Sequence, residues 1–167
     1  ILVGSADSKV KLMVFESLTC GHCANFHKKV YPALKTDYID KGLVRIEFRS
    51  FPLDMAALNA SKIAHCKNDG KTDILHFLYK NQKKWVKGET IEDVNKHLKN
   101  IILENKSELD FESCLVNKNI EDYVLNDRIN AVKKFKIEAT PTLIINDKKF
   151  DNPHNYKKLK KTIEKLI

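Results

Sequence analysis

The chain has 167 residues, 43% of them hydrophobic and 31% charged, and carries a formal net charge of +8. That length makes one domain, or one domain with an insertion, and buries a real core. No stretch approaches the ~20 apolar residues of a membrane-spanning helix. The positive charge comes from lysines scattered over helical patterns beside Glu and Asp, with no aromatic-interleaved stripe. Arginine, expected for base readout, occurs only at Arg45, Arg49 and Arg128. Nucleic acid is therefore excluded as a partner, and only a mild attraction to anionic lipid surfaces is left.

The first expected strand is Lys11 to Phe15, apolar enough to be covered on both faces. A helix is expected from Cys20 to Tyr38, kinked at Pro32. Gly42 ends that unit, a second strand covers Leu43 to Phe48, and Phe51-Pro52-Leu53 closes it. A strand-helix-strand unit of this kind is parallel with a right-handed crossover. From Asp54 to Lys118 there is no strand signal. Apolar residues recur at helical spacing: Met55, Leu58, Ile63; Ile74, Phe77, Leu78, with Trp85; Ile91, Val94, Leu98, Ile101. Four short helices are expected there, with Asp73, Thr90 and Ser107 as N-caps and turns at Asn68-Asp69-Gly70 and Lys87-Gly88. Thr90 and Asp93 have capping-box spacing. A long helix follows from Asn119 to Phe135, with Ile120, Tyr123, Val124, Ile129 and Val132 inward. Then come a strand at Thr142 to Ile145, a hairpin turn into a short strand at Phe150, and a last helix from His154 to Leu166.

The chemistry concentrates at Cys20-Gly21-His22-Cys23, between the first strand and the first helix. A helix N-terminus stabilises an anion, and the thiolate is the reactive form of cysteine. Cys20 is the expected nucleophile, Cys23 the more buried resolving thiol, and His22 a donor or positive charge beside the thiolate. The competing reading is zinc, which usually wants four ligands in two close pairs. Cys66 and Cys114 form no second close pair, and His22 would ligate only with strain. A thiol protein that sequesters metal stays as the rival from another functional class. Thr140-Pro141 precedes a buried strand, and X-Pro is the bond that readily turns cis. A cis Pro141 would pack on the cysteine pair, with Thr140 offering backbone to an extended substrate and its hydroxyl to the sulfur. Cys66 and Cys114 read either as two buried free thiols or as a structural disulfide. His27, His65, His76, His97 and His154 read as ordinary surface or partly buried residues.

The order strand-helix-strand, helical insertion, helix-strand-strand-helix resembles the DsbA arrangement of the thioredoxin fold. Cys20 to Lys28, Tyr31-Pro32-Ala33-Leu34 and Phe48-Arg49-Ser50-Phe51-Pro52-Leu53-Asp54 resemble alphaproteobacterial DsbA-like proteins. Gly21-His22 and Thr140 before Pro141 resemble disulfide isomerases instead. The resemblance implies an α/β thioredoxin fold, with residues 1–53 and 119–167 as its domain and 54–118 as an inserted helical subdomain. It implies a protein thiol–disulfide oxidoreductase leaning to isomerase, with a DsbA-type oxidase as the alternative. No cofactor is implied. The implied partners are unfolded or misfolded exported proteins and a membrane redox partner, and the implied location is the periplasm. Relatives with a second cysteine pair at similar places imply a Cys66–Cys114 disulfide. Where related folds bury an acid six residues before the first cysteine, this chain has Val14; Glu16 and Glu47 are the candidate replacements. The chain starts at Ile1 without Met or an apolar leader. The expectation is that a signal peptide was removed and that a lost N-terminal segment supports a homo-oligomer.

Overall fold

The computed structural model describes residues 1–67, 69–105 and 108–167. Leu2–Val3 (β1), Val10–Glu16 (β2), Val44–Ser50 (β3), Thr142–Ile145 (β4) and Lys148–Phe150 (β5) form one mixed sheet in the order β1-β3-β2-β4-β5. β2 and β3 are parallel with Leu12 opposite Ile46, and β4 is antiparallel to β2 with Val14 opposite Leu143. β1 was not expected. Two residues carry no readable alternation, and it exists because the edge of β3 offers free backbone groups to pair with.

Alternation along β2 separates the two faces of the sheet. Val10, Leu12 and Val14 enter the larger core, whereas Phe15 packs with Phe51, Ala131, Ile137 and Ile144 on the other side. Glu16 therefore points to the same side as Val14, with consequences for the site.

Gly21–Lys29 (α1) covers the larger core. The single helix expected to Tyr38 breaks at Val30 and continues as Tyr31–Leu34 (α2) and a π-helical turn, Lys35–Ile39. Pro32 has no N–H and its ring crowds the preceding turn, so the ladder is interrupted there.

Residues 54–118 hold, among those described, five helices and no strand: Met55–His65 (α3), Asp73–Lys80 (α4), Gln82–Trp85 (α5), Ile91–Glu104 (α6) and Phe111–Val116 (α7). The extra helix is the single turn α5, which sets Trp85 fully buried with its indole N–H donated to the Leu78 carbonyl at 3.0 Å. Thr90 and Asp93 form the capping box. Gly88 makes room for it: a Cβ there would meet the Asp93 Cβ at 2.5 Å. Asp73 is not a cap; Thr72 precedes it and caps with no side-chain bond. Ser107 and Asn68 lie outside the described residues, and the cap of α7 is Asp110. Cys66, just beyond α3, is disulfide-bonded to Cys114 in α7.

Lys118–Phe135 (α8) crosses the second face of the sheet, and Tyr156–Glu164 (α9) closes the first. The inward face expected for α8 is wrong in part. Tyr123, Ile129 and Val132 are about half exposed, and the buried stripe is Val124, Asp127 and Ala131. An acid occupies that stripe because it has work there: Asp127 Oδ2 accepts the Ser50 N–H at 3.0 Å, and Oδ1 lies 2.8 Å from Arg49 Nε. A pattern search scores Asp127 as outward and so rotates the helix.

Candidate active site at the first helix

Cys20 is the N-cap of α1. Its backbone is extended, and its Sγ accepts from the Cys23 N–H at 3.4 Å. A sulfur placed there meets the helix's unpaired amides and the positive end of its dipole. The Cys20 thiol is accordingly lowered to about 5. The Cys23 thiol contributes most, followed by the Thr140 side chain and the amides of Cys23 and His22, against an opposing desolvation. Cys23 has no exposed surface, and burial pushes its thiol far up, reinforced by Cys20 and by the charge of Glu16. Two sulfurs three residues apart are thus held in opposite states near neutral pH, Cys20 as thiolate and Cys23 as thiol. Both are free thiols.

Thr140 lies against this pair. When protonated, Cys20 Sγ donates to the Thr140 carbonyl at 3.4 Å, and the Thr140–Pro141 peptide is cis. The buried Thr140 hydroxyl has no hydrogen-bond partner among the described residues. His22 contributes to Cys20 through its backbone N–H. Its ring is exposed and lies 5.6 Å from the ring of His154, which comes from the loop before α9. His154 had been assigned no role.

The residues holding the cysteine loop escaped sequence reading. Gln82 of α5 donates its amide to the carbonyls of Leu18 at 2.7 Å and Cys20 at 3.1 Å. Thr19 donates to Asp54 Oδ2 at 2.7 Å, while Asp54 Oδ1 accepts from the Ala57 N–H and caps α3. The segment 54–118 therefore grips the loop from two sides. Asp54 carried a legible signal, as an acid at a helix start; Gln82 carried none. Beside this grip Leu53 and Met55 stand 48% and 59% exposed.

The histidines are not all scattered. His27, one turn beyond Cys23, lies 2.6 Å from Glu16 Oε2 through Nε2 and 2.9 Å from His76 Nδ1 through its own Nδ1. Glu16 is 4% exposed. Of the two candidate acids it is Glu16 that faces Cys23; Glu47 sits on the other side of β3, paired with Arg49 at 2.9 Å. His65 Nε2 is 3.1 Å from Ser50 Oγ. Among the described residues no group of three or more His, Cys, Asp and Glu is arranged to hold a metal ion. Nor is any helix among them long and apolar enough to cross a membrane.

A thioredoxin family model matches residues 1–165. A Rickettsia bellii protein, provisionally named a protein-disulfide oxidoreductase, is 27% identical over 100% of this chain, which spans 64% of that protein's length. The Bacillus subtilis disulfide bond formation protein D is 29% identical over 99% of this chain and 76% of its own. Among solved structures, Wolbachia pipientis alpha-DsbA1 superposes with a TM-score of 0.86 at 29% identity, covering 99% of this chain and 89% of that one.

Proposed function

The chain belongs to the thioredoxin family, and on that premise we propose that it is a protein thiol–disulfide oxidoreductase working through Cys20 and Cys23. The observation that carries this reading is the opposed state of the two sulfurs near neutral pH, one at the helix N-terminus with its pKa lowered to about 5 and one buried as thiol. The Cys20 thiolate attacks a substrate disulfide and forms a mixed disulfide. Cys23 then attacks Cys20 Sγ and releases the substrate as a thiolate. Thr140 flanks the reacting sulfur and lines the substrate path. The exposed apolar side chains of Leu53 and Met55 suit an unfolded polypeptide as substrate.

In this reading residues 1–53 and 119–167 form the thioredoxin domain, and 54–118 is the helical subdomain whose Asp54 and Gln82 support the cysteine loop. The second cysteine pair, joined as a disulfide, supports work in an oxidising compartment such as the periplasm, on exported proteins. A membrane redox partner would restore the working state. Gly21-His22 and Thr140 favour isomerase or shuffling activity. The lowered Cys20 favours the second reading, a dithiol oxidase, because an oxidant is strong when its reduced form is stabilised.

One paired assay tests both. Reactivation of a scrambled-disulfide protein is measured beside oxidation of the same protein in reduced form, with Cys20→Ser as control. Strong reactivation with weak oxidation supports the isomerase, and the converse supports the oxidase. Activity in neither assay overturns the enzyme and directs attention to metal binding.

A further inference from the structure

The fold gathers charge at the end of the sheet remote from the cysteines. Asn146 and Asp147 close the β4–β5 hairpin as a two-residue turn, both left-handed, with φ of 44° and 66°, as such a turn requires. Three hydrogen bonds hold it on the start of β2. The Asn146 N–H donates to the Lys11 carbonyl at 2.9 Å, the Lys11 N–H donates to Asn146 Oδ1 at 2.8 Å, and the Asn146 side-chain amide donates to the Lys9 carbonyl at 3.4 Å. Lys148 and Lys149 thereby join Lys9 and Lys11 at one end, although 135 residues separate Lys11 from Asn146. On the other flank, the Val10 N–H donates to the Leu43 carbonyl at 3.4 Å and the Ser8 hydroxyl donates to the Gly42 carbonyl at 2.9 Å, which brings in Lys41. Arg45 is the cross-strand partner of Lys11.

The five lysines of this end are exposed and Arg45 is half-buried. None of these six cations is in an ion pair among the described residues. Of the acids here, Asp40 is paired with Lys35, which leaves Asp7 and Asp147. Six cations against two acids supply half of the chain's net charge of +8. Along the chain the same residues are scattered; the hairpin and the two loops bring them together.

We propose that this end is a docking surface for an anionic lipid bilayer. Lysine is a compact charge on a flexible stem, whereas the rigid fork of arginine reads a particular carboxylate or phosphate. With five lysines to one arginine, the charge of this end is spread rather than aimed. A fluid layer of anionic headgroups takes such spread charge, and each cation near it adds about fivefold to binding. Leu43, 36% exposed between Lys41 and Arg45, and the lysine stems supply apolar contact at headgroup depth. The placement leaves the chemistry free. β2 spans seven residues from this end toward the cysteine loop, and at ~3.3 Å per residue that is about 20 Å. A molecule docked by this end keeps Cys20 open to the solution.

Binding is measured by co-sedimentation with vesicles of phosphatidylglycerol and phosphatidylcholine, and with vesicles of phosphatidylcholine alone, at low and high salt. Wild type is expected on the anionic vesicles only, and salt should release it. Lys9→Gln/Lys148→Gln/Lys149→Gln should bind about a hundredfold more weakly. Lys83→Gln/Lys84→Gln/Lys157→Gln removes the same charge from exposed positions on α5 and at the start of α9, near the cysteines. It should bind within a few-fold of wild type. Cys20 on vesicle-bound protein should be alkylated at its free rate by a reagent that does not enter lipid. Equal weakening in both triple variants overturns the proposal, because binding then follows net charge rather than this end. Wild type that ignores anionic vesicles also overturns it, and capture of soluble polyglutamate in that case would assign the end to an acidic protein. Protection of Cys20 on the vesicles overturns it too, by placing the cysteine end against the lipid.

Discussion

The two cysteine pairs of this chain differ in almost every physical respect. Cys20 and Cys23 are three residues apart at a helix start, with the half-buried Cys20 sulfur facing backbone amides and Cys23 fully buried. Cys66 and Cys114 are 48 residues apart, bonded to each other, and packed against the main core between α3 and α7. The first pair keeps a partly exposed free thiol whose pKa is lowered; the second has no free sulfur. Reactivity therefore follows from placement on the backbone rather than from residue type.

The largest effects should separate the pairs by kind of readout. Cys20→Ser is expected to reduce disulfide exchange to the uncatalysed rate while thermal unfolding of the protein changes little. The double variant Cys66→Ser/Cys114→Ser should retain exchange and lose about 4 kcal/mol of stability, the loop-closure value for a separation of 48 residues. Chemical denaturation beside an insulin-type reduction assay measures both. If the double variant lost exchange in proportion to its unfolded fraction, the pairs would be less independent than their placement implies.

A smaller effect lies in pH. The Cys20 thiol is lowered in the folded, reduced protein to about 5, against about 8.5 for an unfolded thiol. A group whose folded pKa is depressed stabilises the fold above its unfolded value, and that contribution is lost as pH falls through the folded value. Cys23 stays protonated across this interval and adds nothing. The oxidised protein has no thiolate at all. Reduced protein should therefore gain stability relative to oxidised protein as pH rises from 5 to 8, in paired denaturation curves. Because Cys20 is half-buried, water screens part of the gain. A gap independent of pH would mean an ordinary Cys20.

Much of this was legible in the residues. The cysteine motif, the apolar run before it and the late Thr140-Pro141 are local in sequence, and each carries its own signal. What escaped is what depends on distant chain. His27 and His76 are 49 residues apart and meet only when α4 packs on α1. Asp127 looks like a surface acid until Ser50 and Arg49 are seen to require it. Helix faces are read from apolar spacing, and a polar residue that is buried for its hydrogen bonds breaks that reading wherever it falls.

Gln82 gives the finest test of how the active pair differs from the structural one. Its amide holds the carbonyls of Leu18 and Cys20, so it fixes the loop from which the reactive sulfur projects. Gln82→Ala leaves two part-buried carbonyls without this donor, at a cost of about 1–3 kcal/mol locally. The loop then samples positions in which Cys20 Sγ is off the helix axis, where amides and dipole stabilise it less. Exchange should slow several-fold and the Cys20 titration should move upward from about 5. The Cys66–Cys114 bond, at the C-terminal end of α3, should be untouched, with the same resistance to reductant. Gln82→Glu should be worse than Gln82→Ala, because a carboxylate facing two carbonyls and a thiolate repels all three. If both variants left the titration of Cys20 where it is, the grip of the helical segment would be structural only, and the thiolate would depend on α1 alone.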